Sequence, residues 1–473
     1  MSVRASPDVI HVGVPTGYLS IQEAINNADS GDTIFVHTGI YIENVVVNKS
    51  VTLVGEDLDF TIIDGNRTGN VIFILESNVS IKGFTIMNSG THLPPGSGTL
   101  IDQRARNITI TENKMINNYD GVRLHSSSGN EISNNTFIDN TYGVSFYSST
   151  NNVISSNTFI DNDYGISSYS STNNLIFRNT LINNTYGMHL TLYSNDNVIY
   201  NNNFDNVHQV LSDAANFWNY SYEGNFWSDY IGHDLNEDGI GDNPYILDQS
   251  NQDNHPLMGM FYFFNVNLRK EQYYLAFISN STISNLRFEI GTETGNRIVS
   301  FNVAGEEGTV GFCRSKISTK LMNYSLIVLI GEEEIIPTLL NISEASYTYL
   351  YFTYVHSNST ITIISSRMLQ LYNQLLEQYL KLQIDFQDLN VTYYDLLGNF
   401  TVILGNYTAL QEDHGELFNS YQKHLLDYSE NVNNLRNLVY IFAATTAMLI
   451  ITIIYLSKSA HVSVRKKEKV IED

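Results

Sequence analysis

Between residues 118 and 206 apolar and polar positions alternate in short bursts that recur every 22 residues. NYDGVRLHSSSGNEISNNTFID, NTYGVSFYSSTNNVISSNTFID, NDYGISSYSSTNNLIFRNTLIN and NTYGMHLTLYSNDNVIYNNNFDN align, the last with one inserted residue. Gly121, Gly143, Gly165 and Gly187 are 22 apart, as are Asn118, Asn140, Asn162 and Asn184. Phe137, Phe159 and Leu181 keep the same step, and Phe204 follows after 23. Runs such as Val144–Phe146 and Val153–Ile154 predict strands, and the Asn, Ser and Gly between them predict turns. One such unit cannot bury its apolar face, whereas stacked units form a continuous core. Stacking at about 4.8 Å puts equivalent residues in columns. Asn side chains then hydrogen-bond along the axis, and Tyr142, Tyr164 and Tyr186 form an aromatic column.

Upstream, Thr33–Val36, Val45–Val47, Val51–Val54, Thr61–Ile63, Val71–Leu75 and Val79–Ile86 read as strands of wider, less regular coils. Ser20–Ala28 places Ile21, Ala24, Ile25 and Ala28 on one helical face, which predicts a helix closing the open end of the solenoid. From Phe261 to about Ser366 the repeat is gone. Alternating runs there (Tyr274–Ile278, Ile298–Val303, Ser325–Ile330, Tyr347–Tyr354) predict an antiparallel β-sandwich.

A heptad then runs from Leu369 to Leu435, with Leu376, Leu397 and Leu425 among its a positions and Phe386, Tyr393, Tyr407, Tyr421 and Tyr428 among its d positions. It predicts a coiled-coil stalk about 100 Å long and, through it, a homo-oligomer. Gln383, Asn390, Gln411 and His414 interrupt the seam, and Gly398, Gly405 and Gly415 weaken the helix, so a self-packed helical hairpin is the alternative.

Leu438–Leu456 has no charged side chain and spans about 28 Å as a helix, enough to cross a bilayer. Tyr440 and Tyr455 sit near its ends, and Lys458, Arg465, Lys466, Lys467 and Lys469 follow. This pattern predicts a single-pass protein of the cell membrane with a cytoplasmic tail and its bulk outside. Such an orientation calls for an export signal, and Met1–Thr16 shows no apolar h-region. The expected layout is a β-helix over 15–258, a sandwich over 259–366, a stalk over 367–436, a membrane helix over 437–456 and a basic tail over 457–473.

Composition narrows the choice of partner. With 25 Lys and Arg against 49 Asp and Glu, the formal charge of −24 argues against nucleic acid. It suits salty surroundings, cation binding or simple solubility. Cys313 is the one cysteine, which excludes an intrachain disulfide and Cys-based metal sites. Fourteen Asn-X-Ser/Thr sequons, from Asn48 to Asn406, all precede the apolar segment, in keeping with an outside location.

Three groups of residues are candidate sites. Asp234, Asn236, Asp238, Ile240 and Asp242 follow D-x-N-x-D-G-I-x-D, with oxygen donors spaced as in a calcium loop and Gly239 at the turn. Tyr245 stands where a bidentate Glu would close an EF-hand, and an ion-free Asp/Gly turn fits the same pattern. No organic cofactor is expected. Asp139 and Asp161 share a repeat position, Arg123 and His125 are expected one strand away from Asp120, and His189 occupies the register of Arg123. Together they offer carboxylates for acid–base work or, alternatively, solvated turn residues where other coils carry Asn117 and Asn183. Tyr142, Tyr164 and Tyr186 offer aromatic surface for glycan, or cap turns.

SIQEAINNADSGDTIFV, GIYIENVVVNKSVTLVGE, TIIDG and VSIKGFTI resemble the opening of NosD-type, pectate-lyase-like right-handed β-helix proteins. GNFWSDYIGHDLNEDGIGDNPYILD and NQDNHPLM resemble the segment closing that domain in archaeal surface proteins. GFCRSKIS and YLYFTYVHSNSTITI resemble a small module found beside it. The resemblance spans about residues 15–258 and implies a right-handed parallel β-helix there; with the small β-sandwich, helical stalk and one transmembrane helix read from the later residues, the expected fold is mainly β. The fold hosts lyases, hydrolases, sugar binders and spacers, so it does not assign an activity. NosD proteins are associated with copper delivery, yet this chain has no M-x-x-M or H-x-H cluster, and only His233 and His255 flank the acidic loop. The expected function is non-catalytic binding of glycans or envelope components. A polysaccharide lyase or glycoside hydrolase is the alternative, and a structural envelope protein or a copper-maturation factor comes further behind.

Overall fold

The computed structural model describes residues 7–92, 95–342, 344–404 and 411–467. Met1–Ser6, Tyr407 and Lys469 lie outside the described residues, as does the rest of the basic tail from 468 on.

The repeat folds as a right-handed parallel β-solenoid of about ten turns. Each coil gives one short strand to each of three sheets, of nine, nine and eight strands. The first sheet runs from Val9–Val12 to Val198–Tyr200, the second from Gly39–Ile42 to Phe226–Trp227, and the third from Val45–Val47 to His208–Ser212. Pairing follows the 22-residue register: Phe137 lies opposite Phe159, Ile132 opposite Ile154, and Val144 opposite Ile166. Inside, Phe137 and Phe159 stack with centroids 4.7 Å apart. The recurring glycine is a close approach: a Cβ on Gly143 would lie 2.5 Å from the Gly165 carbonyl oxygen and from the Phe159 ring.

Buried asparagines form three ladders up the stack. One runs Asn113, Asn135, Asn157, Asn179, Asn202, Asn225, each Oδ1 accepting the backbone and side-chain N–H of the asparagine one coil below. A second runs Asn118, Asn140, Asn162, Asn184, Asn206, and a third runs Asn130, Asn152, Asn174, Asn197, Asn216. Buried turns thus satisfy their polar groups within the protein, as burial requires.

Both ends are closed. Helix Ile21–Asn27 buries Ile21, Ala24 and Ile25, is N-capped by Ser20, and packs on the first coil. Its Gln22 amide exchanges two hydrogen bonds with Val46, completing the edge strand of the third sheet. At the far end Asn251 accepts from Asn216 and Trp218, and Asp253 accepts from Asn225 and Trp227, so two of the ladders terminate in the NQDNHPLM segment.

Two five-stranded antiparallel sheets follow and share one core, including Leu275, Phe277, Val299, Phe301, Leu350 and Ile363. They are continuous with the solenoid in one compact unit that ends at Ser365. Ile240, Leu257, Phe261, Ile278, Phe312 and Tyr351 form an apolar cluster at the junction. There Asn203 also hydrogen-bonds both to the Phe261 N–H and to its carbonyl. Solenoid and sandwich thus pack against each other within one compact unit.

The second unit holds helices Arg367–Leu404 and Gln411–Lys467. Phe386 stacks on Tyr428 and Tyr393 on Tyr421, at 5.4 and 5.2 Å, which sets the two helices antiparallel. The d-position rings expected to meet between chains of a continuous coiled coil instead meet within one chain. A seam weakened by polar and glycine residues favours this reversal over one long rod. The second helix is long and apolar enough to cross a membrane, with none of its segment Leu417–Thr452 buried in the chain.

Candidate functional site

The third sheet turns a polar and aromatic face outward. Within Tyr142–Tyr147, Val144 and Phe146 point into the core while Ser145 and Tyr147 point out, and Tyr142 enters the strand on the outer side. In-register stacking repeats this on neighbouring coils, giving the outer columns Asp120–Tyr142–Tyr164–Tyr186–His208 and Arg123–Ser145–Ser167–His189.

The first column stacks tightly: Tyr142 to Tyr164 is 5.0 Å, Tyr164 to Tyr186 is 5.2 Å, and Tyr186 to His208 is 4.8 Å. Each ring face is therefore covered by its neighbour. The column presents ring edges and phenol oxygens rather than the open faces that sugar stacking was expected to use. Burial raises the Tyr142 and Tyr147 pKa values, so both phenols stay protonated as donors at any ordinary pH.

Asp120 stands at the foot of the column, fully buried. It accepts from Ser145 Oγ at 2.6 Å and Ser97 Oγ at 3.2 Å, and Arg123 Nη1 lies 3.8 Å away. Burial pushes its carboxyl pKa up against these bonds. The Arg123 guanidinium sits 4.2 Å over the Tyr147 ring, and its buried Nε has no acceptor among the described residues. His125 is exposed at the far end of the strand, and His189, lowered in pKa by burial, stacks on Tyr164 at 5.2 Å.

Asp139 and Asp161 do not join this face. Both are exposed corner residues with φ of 53° and 56°, in one column with Asn117 at 55° and Asn183 at 58°. Asn and Asp tolerate this left-handed region better than other side chains, which accounts for the repeat position without catalysis.

The acidic loop is folded around its own amides. Asp234 accepts from the Asp238 and Gly239 N–H groups, Asp238 from Ile240, and Asp242 from Leu235. Gly239 takes a φ of 81°, and burial raises the Asp234 pKa. Asn236 Nδ2 lies 3.3 Å from Asp238. Among the described residues no group of three or more His, Cys, Asp or Glu side chains is arranged to hold a metal. His11 and His37 pair at 3.0 Å, with Glu56 beside His37.

A cavity of about 310 Å³ opens where the solenoid meets the sandwich, lined by Arg178, Arg314, Lys316, Glu223, Tyr274 and Tyr349 among others. None of these residues is a candidate on sequence grounds. Two signals point to them: Arg178 is the one base in a repeat column that also holds Glu112, Asn134, Ser156 and Asn201, and Arg314 and Lys316 share one face of a strand in a chain poor in bases.

The family model described as periplasmic copper-binding protein (NosD) matches residues 25–232, a stretch lying within the solenoid and less than half of the chain. A probable pectinesterase/pectinesterase inhibitor 6 of Arabidopsis thaliana is 34% identical over 120 residues, 24% of this chain and 19% of that protein. The chain thus spans about a fifth of the length of the curated relatives it matches. Among solved structures, an alginate lyase from Paenibacillus sp. str. FPU-7 is similar at 15% identity over 46% of this chain and 94% of that one, with a TM-score of 0.33. The Dettilon tailspike protein is similar at 11% identity over 75% and 93%, with a TM-score of 0.27. At these scores neither structure assigns an activity here.

Proposed function

We propose that this protein is a membrane-tethered binder of glycans or envelope polysaccharide, and that it holds its ligand along the outer face of the third sheet. The observation that carries the reading is the continuous strip of phenol, hydroxyl, guanidinium and imidazole groups from Asp120 and Arg123 to His189 and His208. Coils about 4.8 Å apart repeat these groups at a fixed spacing, which suits a polymer that itself repeats polar groups. Binding rather than chemistry is favoured by the state of Asp120: its oxygens are engaged by two serines and its surface is covered. The apolar C-terminal helix supplies the tether, with the solenoid outside the cell.

A glycan array probed with the full chain in detergent tests this. Binding to a defined set of glycans that falls at least tenfold in Tyr164→Ala and Arg123→Ala supports it; no binding to any glycan refutes it. The second reading, a polysaccharide lyase or hydrolase, draws on the raised Asp120 carboxyl beside Arg123. Release of reducing ends or unsaturated sugars from a polysaccharide, lost in Asp120→Asn, would replace binding by catalysis.

A further inference from the structure

The cavity at the solenoid–sandwich junction is assembled from two surfaces. Strands Met260–Leu268, Glu271–Ser279, Val310–Ser318 and Tyr347–Val355 bury alternate residues in the sandwich core, among them Leu275, Phe277, Cys313, Ile317 and Leu350. The intervening residues face the solenoid, and the pairing sets Phe263 beside Ala276, Ala276 beside Lys316, and Lys316 beside Tyr349. Ala276 is the small member of this row and leaves room in its middle. From the solenoid side comes Arg178, whose φ of 59° places it at the corner between the first and second sheets.

The charges are unusual for this chain. Against an overall −24, the lining carries Arg178, Arg314 and Lys316 with Glu223 and Glu344. Lys316 is matched by Glu344 at 2.9 Å. Arg314 is not comparably matched. It is 3% exposed, its Nη1 has no acceptor among the described residues, and its Nη2 reaches Glu223 only at 3.5 Å. Arg178 lies 3.6 Å over the Phe263 ring, and its buried Nε also lacks an acceptor. A buried guanidinium with free N–H groups calls for an oxyanion, which it grips in forked geometry. Around it stand the rings of Tyr200, Tyr220, Tyr274 and Tyr347, which provide flat apolar walls with hydroxyl tips. The volume is at the small end for ligand sites and suits one or two rings rather than a long polymer.

We propose that this cavity binds a single acidic sugar residue, with its carboxylate or sulfate on Arg314 and Arg178 and its ring against the tyrosines. The site is separate from the third-sheet strip and stands or falls independently of it.

Calorimetric titration of the full chain in detergent with glucuronate, glucose 6-sulfate, glucose and inorganic sulfate tests the assignment. At least one acidic sugar is expected to bind ten times or more tightly than both glucose and inorganic sulfate, and the two acidic probes tell carboxylate from sulfate. Arg314→Gln is expected to weaken binding at least tenfold. Lys316→Gln, at the cavity rim, is expected to do so severalfold, and it serves if the buried variant does not fold. In a Tyr164→Ala background, which disables the third-sheet strip, Arg314→Gln should weaken binding by the same factor. Equal binding of glucose and the acidic sugars, equal binding of inorganic sulfate, no binding at all, or no effect of Arg314→Gln and Lys316→Gln in that background would each overturn the proposal.

Discussion

Each ladder asparagine accepts two hydrogen bonds on one oxygen and donates to carbonyls of the coil below, so replacing one strands several partners at once. Asn157→Ala would leave the Asn135 N–H without its acceptor and the Ile132 carbonyl without the Asn157 donor, while Asn135 Nδ2 keeps the Ile110 and Ser133 carbonyls. At about 1–3 kcal/mol for a stranded buried donor, a loss of roughly 1–3 kcal/mol is expected, read as a lower denaturant midpoint. Asp253 ends the same ladder and titrates differently from an exposed aspartate. Burial outweighs its hydrogen bonds and lifts its pKa to about 6. Because the folded value exceeds the unfolded one, the folded state binds the extra proton. That stability is full below about pH 4 and is lost as pH rises through about 6. The Tm of the wild type minus that of Asp253→Asn should therefore fall by a few degrees between pH 4 and pH 7 in calorimetric scans. The ladder asparagines were legible in the sequence, since stacking forces one spacing on them. Asp253 was not, because it lies 28 residues beyond Asn225 and outside any repeat.

At the scale of elements, local pattern was enough to place the strands, the closing helix over Ser20–Ala28 and the apolar C-terminal helix. It did not decide how the heptad helices pair, since a and d positions serve an intrachain hairpin as well as an interchain rod. A short bismaleimide reacting with Tyr393→Cys/Tyr421→Cys, in a Cys313→Ala background, should give a cross-linked monomer; a covalent dimer would restore the parallel stalk. For the Asp234–Asp242 loop, calcium remains our proposal, resting on the spacing of its oxygen donors. Calorimetry should show Ca²⁺ binding that Asp238→Ala abolishes, and identical traces would leave a turn held by its own amides. The junction cavity escaped the sequence because its walls come from elements more than a hundred residues apart. Only the misfit of Arg178 in its column and the paired bases of GFCRSKIS hinted at it.

For the whole molecule, the apolar cluster around Phe261 and the two bonds of Asn203 tie solenoid to sandwich. Residues up to Ser365 should consequently melt in one calorimetric transition, and two well-separated transitions would show that the junction is weak. The ladders carry a further implication for length. Every Oδ1 along them faces the coil below, so each coil inside the ladders offers its upper and lower neighbours the same interface as any other there. The wider coils before Asn113, under the helix, and the last coil, against Asn251 and Asp253, are the special ones. Removing residues 141–162 as a block should then yield a shorter solenoid with both lids intact, whereas an eleven-residue excision should not fold. The reach of this protein is in that sense modular: it can grow or shrink by whole coils without redesign of its ends.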